Sequence, residues 1–176
     1  SRAGPADSPL LTSGLQVLRE FLLQNNANRD FDLNDGSGLS RTSRATAEMM
    51  LSFLERMKRS PLFPALWAAL PVAGVDGTLR NRMKGSAAAG VLRAKTGTLD
   101  GVYNLAGYVP YGKDFVPFVI LTRTDSSESA TARAAEDRVG IALASVHASS
   151  ETLTPQTPEL FSPVPYVPRH AGADDQ

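Results

Sequence analysis

A chain of 176 residues has room for one ordinary domain with a real core and is too short for two, so it reads as one domain with a tail. Its 42% hydrophobic and 20% charged residues exclude a disordered or collagen-like chain, and 18 Lys plus Arg against 18 Asp plus Glu remove the bulk electrostatic case for nucleic acid or an anionic membrane as the main partner. The absence of cysteine excludes disulfides, thiolate nucleophiles and Cys-ligated metals, and two isolated histidines, His147 and His170, suit neither a Ser-His-Asp triad nor a His-rich metal site.

The first residues, Ser1 to Pro5, carry neither an initiator Met nor an apolar signal core, which points to a processed or excised piece. Ser13 followed by Gln16 has the form of a capping box, and Leu11, Leu15, Leu18 and Leu22 recur at helical spacing, so a helix is expected over about 13–25. Residues 27–44 are polar and turn-rich and read as a loop centred on Asp35-Gly36-Ser37-Gly38. A second helix is expected over about 45–59, with Met49, Met50, Phe53, Leu54 and Met57 on one apolar face and Pro61 as the stop.

After a short apolar piece around Trp67, the stretch 71–90 holds four of the 14 glycines and reads as an extended, winding loop. Three strand-like runs follow, about 91–98, 102–109 and 115–122, separated by segments short enough for hairpin turns, which predicts an antiparallel meander. The longest apolar run, Phe115 to Leu121, has seven residues, far below the roughly 20 of a membrane-spanning helix. Small and apolar residues from Ala132 to Val146 mark a last helix, about 129–148. Beyond it, residues 149–176 carry five of the twelve prolines and read as a solvated, proline-rich tail.

Two motif matches fail on inspection. Asp30-x-Asp32-x-Asn34 lacks the glycine and the chelating glutamate of a calcium loop, having Asp35 and Arg41 at those places. Gly90 to Thr96 lacks the glycine before the lysine of a phosphate loop, and the run reads as a strand. No metal or cofactor is expected. Lys95-Thr96-Gly97-Thr98 is more productive: strand alternation puts Lys95 and Gly97 on one face and Thr96 and Thr98 on the other, and a glycine there lets another backbone or a ligand come close.

Its surroundings are specific. Asp35-Gly-Ser-Gly-Leu-Ser-Arg41, then Leu70-Pro-Val-Ala-Gly-Val-Asp-Gly-Thr-Leu79, then the run from Ala94-Lys-Thr-Gly-Thr to Val109 closely resemble, in that order, the C-terminal part of class C penicillin-binding proteins. These are the D-alanyl-D-alanine carboxypeptidases and endopeptidases of the S13 peptidase family, and the resemblance runs from about residue 10 to about 148. It implies an α+β chain, residues 1–148 forming the C-terminal part of a penicillin-binding, β-lactamase-like catalytic domain, with antiparallel strands backed by helices. It also implies a periplasmic or otherwise extracytoplasmic serine enzyme that cleaves peptidoglycan stem peptides and is acylated by β-lactams.

Of the family's three motifs only Lys-Thr-Gly is present; Ser-x-x-Lys and Ser-x-Asn occur nowhere in the chain. In the family both lie N-terminal to this segment, so an upstream segment would have to complete the site. The fold also implies that two N-terminal strands pair with the run at 115–122. By the same resemblance Lys95 supplies positive charge to the substrate carboxylate, Thr96 and Thr98 add hydroxyls, the Thr98 N–H is an oxyanion donor, and Gly97 and Leu99 line the cleft. Ser37, Leu39 and Arg41 lie on a loop near the site, and Arg41 either contacts an acidic group of the stem peptide or braces its loop. A rival reading is a non-catalytic module of the same fold that binds peptidoglycan or a protein partner; the presence of the two missing motifs upstream decides between them.

Overall fold

The computed structural model describes residues 9–25 and 29–150; the proline-rich tail expected at 149–176 lies almost wholly outside them. In chain order the elements are α1 (Pro9–Asn25), β1 (Phe31–Asp32), β2 (Arg44–Ala45), α2 (Ala47–Met57), α3 (Phe63–Ala69), β3 (Arg93–Leu99), β4 (Val102–Tyr111), β5 (Asp114–Arg123) and α4 (Ser129–Ser150).

The meander is present, with antiparallel order β3-β4-β5. Leu99 pairs with Val102, leaving Asp100-Gly101 as a two-residue turn, and Gly101 takes φ +72°, a conformation that costs an ordinary side chain. A methyl group on Gly101 would also lie 2.9 Å from the Thr124 carbonyl oxygen. Sequence punctuation and tertiary packing therefore demand the same residue.

Helices cover both faces of the sheet. On one, Ala144 of α4 joins Leu105, Val109 and Phe118 in a core that also takes Leu79, Leu92 and Ala94. On the other, the Tyr108 hydroxyl donates to the Leu54 carbonyl of α2 at 3.0 Å, and Phe63 of α3 meets Tyr108 and Phe115 edge-on at 5.2 and 5.0 Å. Burial, followed by the charge of Glu55, pushes the Tyr108 phenol up to about 12, so it stays a neutral donor.

The structure revises or completes the expectations for several segments. The first helix begins at Pro9 instead of near Ser13. The second is shorter than 45–59, because Thr46 lies outside it as the cap, its hydroxyl accepting from the Met49 N–H at 3.1 Å. The apolar piece around Trp67 is the helix α3, with Pro64 in its first turn, where the missing N–H costs nothing. The region 27–44 is not wholly loop: Phe31 pairs with Ala45 and Asp32 with Arg44, closing its base.

Residues 71–90 are not extended: they wind back onto the core. Ala73, Leu79 and Ala88 are fully buried, and a 3-10 turn spans Gly77–Leu79. This segment is anchored to α4 through Arg82, whose guanidinium lies 2.8 Å from Glu136 and 2.7 Å from Asp137. Its other end is bonded to β3, so it fixes the surroundings of that strand.

Candidate functional site

The pairing of β3 confirms the alternation of its side chains. Lys95 lies opposite Ala106 and Gly97 opposite Asn104 on one face, while Thr96 lies opposite Leu105 and Thr98 opposite Tyr103 on the other. Among the described residues, the outer edge of β3 is covered only at its start. There the Ala94 N–H donates to the Pro71 carbonyl and the Ala73 N–H to the Leu92 carbonyl, at 3.0 and 2.9 Å.

Backbone groups in an antiparallel strand alternate between partner and edge. Since the Ala94 N–H points outward, so do those of Thr96 and Thr98, and the edge they face lies beyond the 71–73 cover. The Lys95 ammonium curls onto this edge and donates to the Thr96 carbonyl at 2.5 Å. A cation, outward N–H groups and two hydroxyls thus share one short stretch of open strand. Beside it the Thr96 hydroxyl donates to the Thr78 hydroxyl, at 3.0 Å, from the 3-10 turn.

Gly97 shows what the chain itself does not require. A methyl group built there would approach Asn104 no closer than 3.4 Å, an ordinary contact, and its φ is not in the left-handed region. Packing within this chain leaves room for a side chain at the face shared with Lys95. Gly97→Ala is therefore expected to shift the unfolding temperature of the complete protein by no more than about 2 °C. A larger drop would show that this face is packed against another part of the protein.

The 35–43 loop is organised by one carboxylate. Asp35 accepts from the Ser37 hydroxyl at 2.5 Å, from the Leu39 and Ser40 N–H groups at 2.8 and 3.0 Å, and from the Ser43 hydroxyl at 3.0 Å. Those bonds, the one from Ser37 foremost, hold its pKa down to about 2 against the 3.8 of an ordinary aspartate. The loop keeps this support above the ordinary value and loses it as the pH falls toward 2. The Ser37 hydroxyl is spent on Asp35, and the Leu39 side chain stands in solvent at 69% exposure.

Arg41 reaches the sheet: its Nη1 donates to the Asp100 carbonyl at 3.3 Å, tying the loop to the β3–β4 turn just beyond Leu99. The structure thus gathers Lys95, Thr96, Gly97 and Thr98 on one strand, with Leu99 half-buried at its end and Arg41 beside the turn. Ser37 and Leu39 belong to the Asp35 hub. Thr78 was not singled out in the sequence analysis although it lies within the 70–79 motif, because only tertiary folding brings it to Thr96.

A family model described as the D-Ala-D-Ala carboxypeptidase 3 (S13) family matches residues 6–143. The D-alanyl-D-alanine carboxypeptidase of Actinomadura sp. (strain R39) is 43% identical over 117 residues, covering 64% of this chain and 21% of that protein. The D-alanyl-D-alanine carboxypeptidase DacB of Haemophilus influenzae is 40% identical over 109 residues, covering 58% of this chain and 22% of its own length. The chain therefore spans about a fifth of the length of these curated relatives. Among solved structures, penicillin binding protein 4 (dacB) from Haemophilus influenzae, complexed with a β-lactam, superposes with a TM-score of 0.60 at 27% identity, over 73% of this chain and 33% of that one. The Bd0816 predatory endopeptidase of Bdellovibrio bacteriovorus, in complex with immunity protein Bd3460, gives a TM-score of 0.59 at 25% identity, over 77% and 37% of the two chains.

Proposed function

The chain belongs to the D-Ala-D-Ala carboxypeptidase 3 (S13) family, and we propose that it forms the C-terminal, Lys-Thr-Gly wall of a serine-type D-Ala-D-Ala carboxypeptidase or endopeptidase acting on peptidoglycan stem peptides outside the cytoplasm. The observation that carries this reading is the strand edge open from Thr96 onward, with the Lys95 ammonium lying on it. An extended peptide ending in a carboxylate can pair with that edge through its backbone and place its anionic end against the cation and the hydroxyls.

In this reading Lys95 attracts the terminal carboxylate and polarises the serine of an upstream Ser-x-Asn motif. Thr96 and Thr98 donate hydroxyl hydrogen bonds to the carboxylate. The outward Thr98 N–H is one oxyanion donor, and the N–H of the nucleophilic serine is the other. Gly97 leaves room for the acyl donor, and Leu99 lines its passage. Arg41, seated at the β3–β4 turn, is near enough to the end of β3 to meet an acidic group of a stem peptide, whereas Ser37 and Leu39 would act through the loop that carries it. A lysine-based site needs no imidazole, in keeping with the histidine count. β-Lactams, whose ring carbonyl and carboxylate imitate the same peptide end, would acylate the same serine.

The upstream segment would bring Ser-x-x-Lys and Ser-x-Asn, and two strands to pair with β5. The outer edge of β5 supports this placement. The Phe115 carbonyl accepts from Lys58 Nζ at 2.7 Å and Pro117 has no N–H, so the edge is blunted at its start while its later part remains available. No helix among the described residues is long and apolar enough to cross a membrane.

The direct test is covalent labelling. The complete protein is expected to form a stable adduct with a fluorescent penicillin on a serine upstream of Ser1, and the 176-residue chain alone to form none, because it contains no Ser-x-x-Lys pair. An adduct on any serine of the isolated chain, seen by mass spectrometry, would overturn the assignment. A complete protein that binds peptidoglycan without forming an adduct would favour the non-catalytic module.

A further inference from the structure

We infer that Thr78 is a positioning residue that directs the Thr96 hydroxyl toward the anionic end of the ligand. The inference rests on the function proposed above for β3. Thr78 lies on the 3-10 turn Gly77–Leu79 and its hydroxyl accepts from Thr96 at 3.0 Å.

The turn has little freedom to move relative to β3. Leu79 is fully buried in the core, the Gly74 N–H donates to the Leu79 carbonyl at 3.0 Å, and the Val72 N–H donates to Asp76 Oδ1 at 2.7 Å. The same segment is bonded to the strand through Pro71, and to Leu92 just before it through Ala73. Thr78 is nevertheless exposed, so water could satisfy its hydroxyl almost as well as Thr96 does. A bond of that kind adds little to stability; what it fixes is direction.

Threonine is stiff at χ1 on a strand, leaving the hydroxyl rotor of Thr96 as its main remaining freedom, and Thr78 holds that rotor. With no ligand bound, Thr96 donates to Thr78. When a carboxylate arrives beside the Lys95 ammonium, the pair reverses by rotation of two hydroxyl protons: Thr78 donates to Thr96, and Thr96 donates to the carboxylate. No heavy atom has to move, and the Thr96 donor is polarised by the bond it receives. Thr98, two residues on along the same face, supplies a second hydroxyl without such a partner in the 3-10 turn.

The test uses the complete protein, a fluorescent penicillin, and the same penicillin with its carboxylate converted to a primary amide. Thr78→Val is expected to lower the acylation efficiency for the carboxylate about tenfold, the effect of weakening one hydrogen bond to a charged group, and for the amide less than about twofold. Thr78→Ser should remain within about twofold of wild type for both probes, and the unfolding temperature should not change in either variant. Because Thr78 acts through Thr96, adding Thr78→Val to Thr96→Val should cause no further loss. Equal losses for carboxylate and amide, additive losses with Thr96→Val, or no loss at all would overturn the inference. Lys95→Ala, measured alongside, separates the two levels: wild-type acylation there overturns the site and the inference together, while impaired Lys95→Ala with normal Thr78→Val overturns the inference alone.

Discussion

Replacing Lys95 by alanine in the complete protein is expected to reduce both β-lactam acylation and release of D-Ala at least about tenfold, equivalent to 1.4 kcal/mol or more of lost transition-state stabilisation. The reason is electrostatic and local. Lys95 is exposed, and its ammonium is fastened to the Thr96 carbonyl on the edge that a substrate would occupy. Removing it leaves the carboxylate to neutral donors alone, and charge-assisted bonds are roughly twice as strong as neutral ones. Stability should change little, because an exposed lysine bonded to the neighbouring residue contributes little to folding. Lys95→Arg keeps the charge but replaces a compact ammonium by a planar fork, so intermediate kinetics are expected. Acylation of Lys95→Ala at the wild-type rate, in a protein with unchanged unfolding, would remove β3 from the active site.

Gly107→Ala should have the largest structural effect of any single methyl addition to the sheet. Gly107 lies opposite Ala94, and a Cβ on it would fall 2.1 Å from the Arg93 carbonyl oxygen and 2.6 Å from the Ala94 Cα. Both obstacles are backbone, which no change of rotamer can move, so β3 and β4 must separate at the centre of the sheet. Leu105 and Val109, two residues to either side, are in the buried core and would be displaced with it. A cost of about 3 kcal/mol, at the upper end of over-packing effects, is expected. Denaturant unfolding of the complete protein measures it, and an unchanged midpoint would show that the two strands are not held in this register. Activity should fall as well, since the disturbed pair carries Lys95 one residue beyond Ala94. The contrast with Gly97 is informative: ten residues apart, one glycine is required by the chain's own backbone and the other by nothing among the described residues.

Much of the architecture was legible in the sequence because local chemistry and global folding ask for the same residues. The three strands were visible as apolar, β-branched runs, and Asp100-Gly101 marked a turn whose geometry needs Gly. The faces of Lys95-Thr96-Gly97-Thr98 follow from the period of two, which needs no tertiary information. Tyr103 and Tyr108, aromatic residues of the kind that strands favour for packing, are both buried. The Lys-Thr-Gly motif and its flanking segments carried the family resemblance, which the match over residues 6–143 bears out.

Only the tertiary structure decided which edge of β3 is open and what stands beside it. The start of that edge is covered by Pro71 to Ala73, about twenty residues earlier, and the hydroxyl that meets Thr96 comes from Thr78, eighteen residues earlier. The bond of Arg41 to the Asp100 carbonyl, 59 residues away, is likewise visible only in the folded chain, where it lies beside the β3–β4 turn. The contacts of Pro71, Ala73 and Thr78 depend on how a glycine-rich segment folds back, and that is governed by burial of Leu79 and by the anchor between Arg82, Glu136 and Asp137. Dihedral preference and side-chain period act between neighbours and are written in short motifs; contacts between distant segments arise only when the core closes, and there the sequence supplies the residues but not their partners.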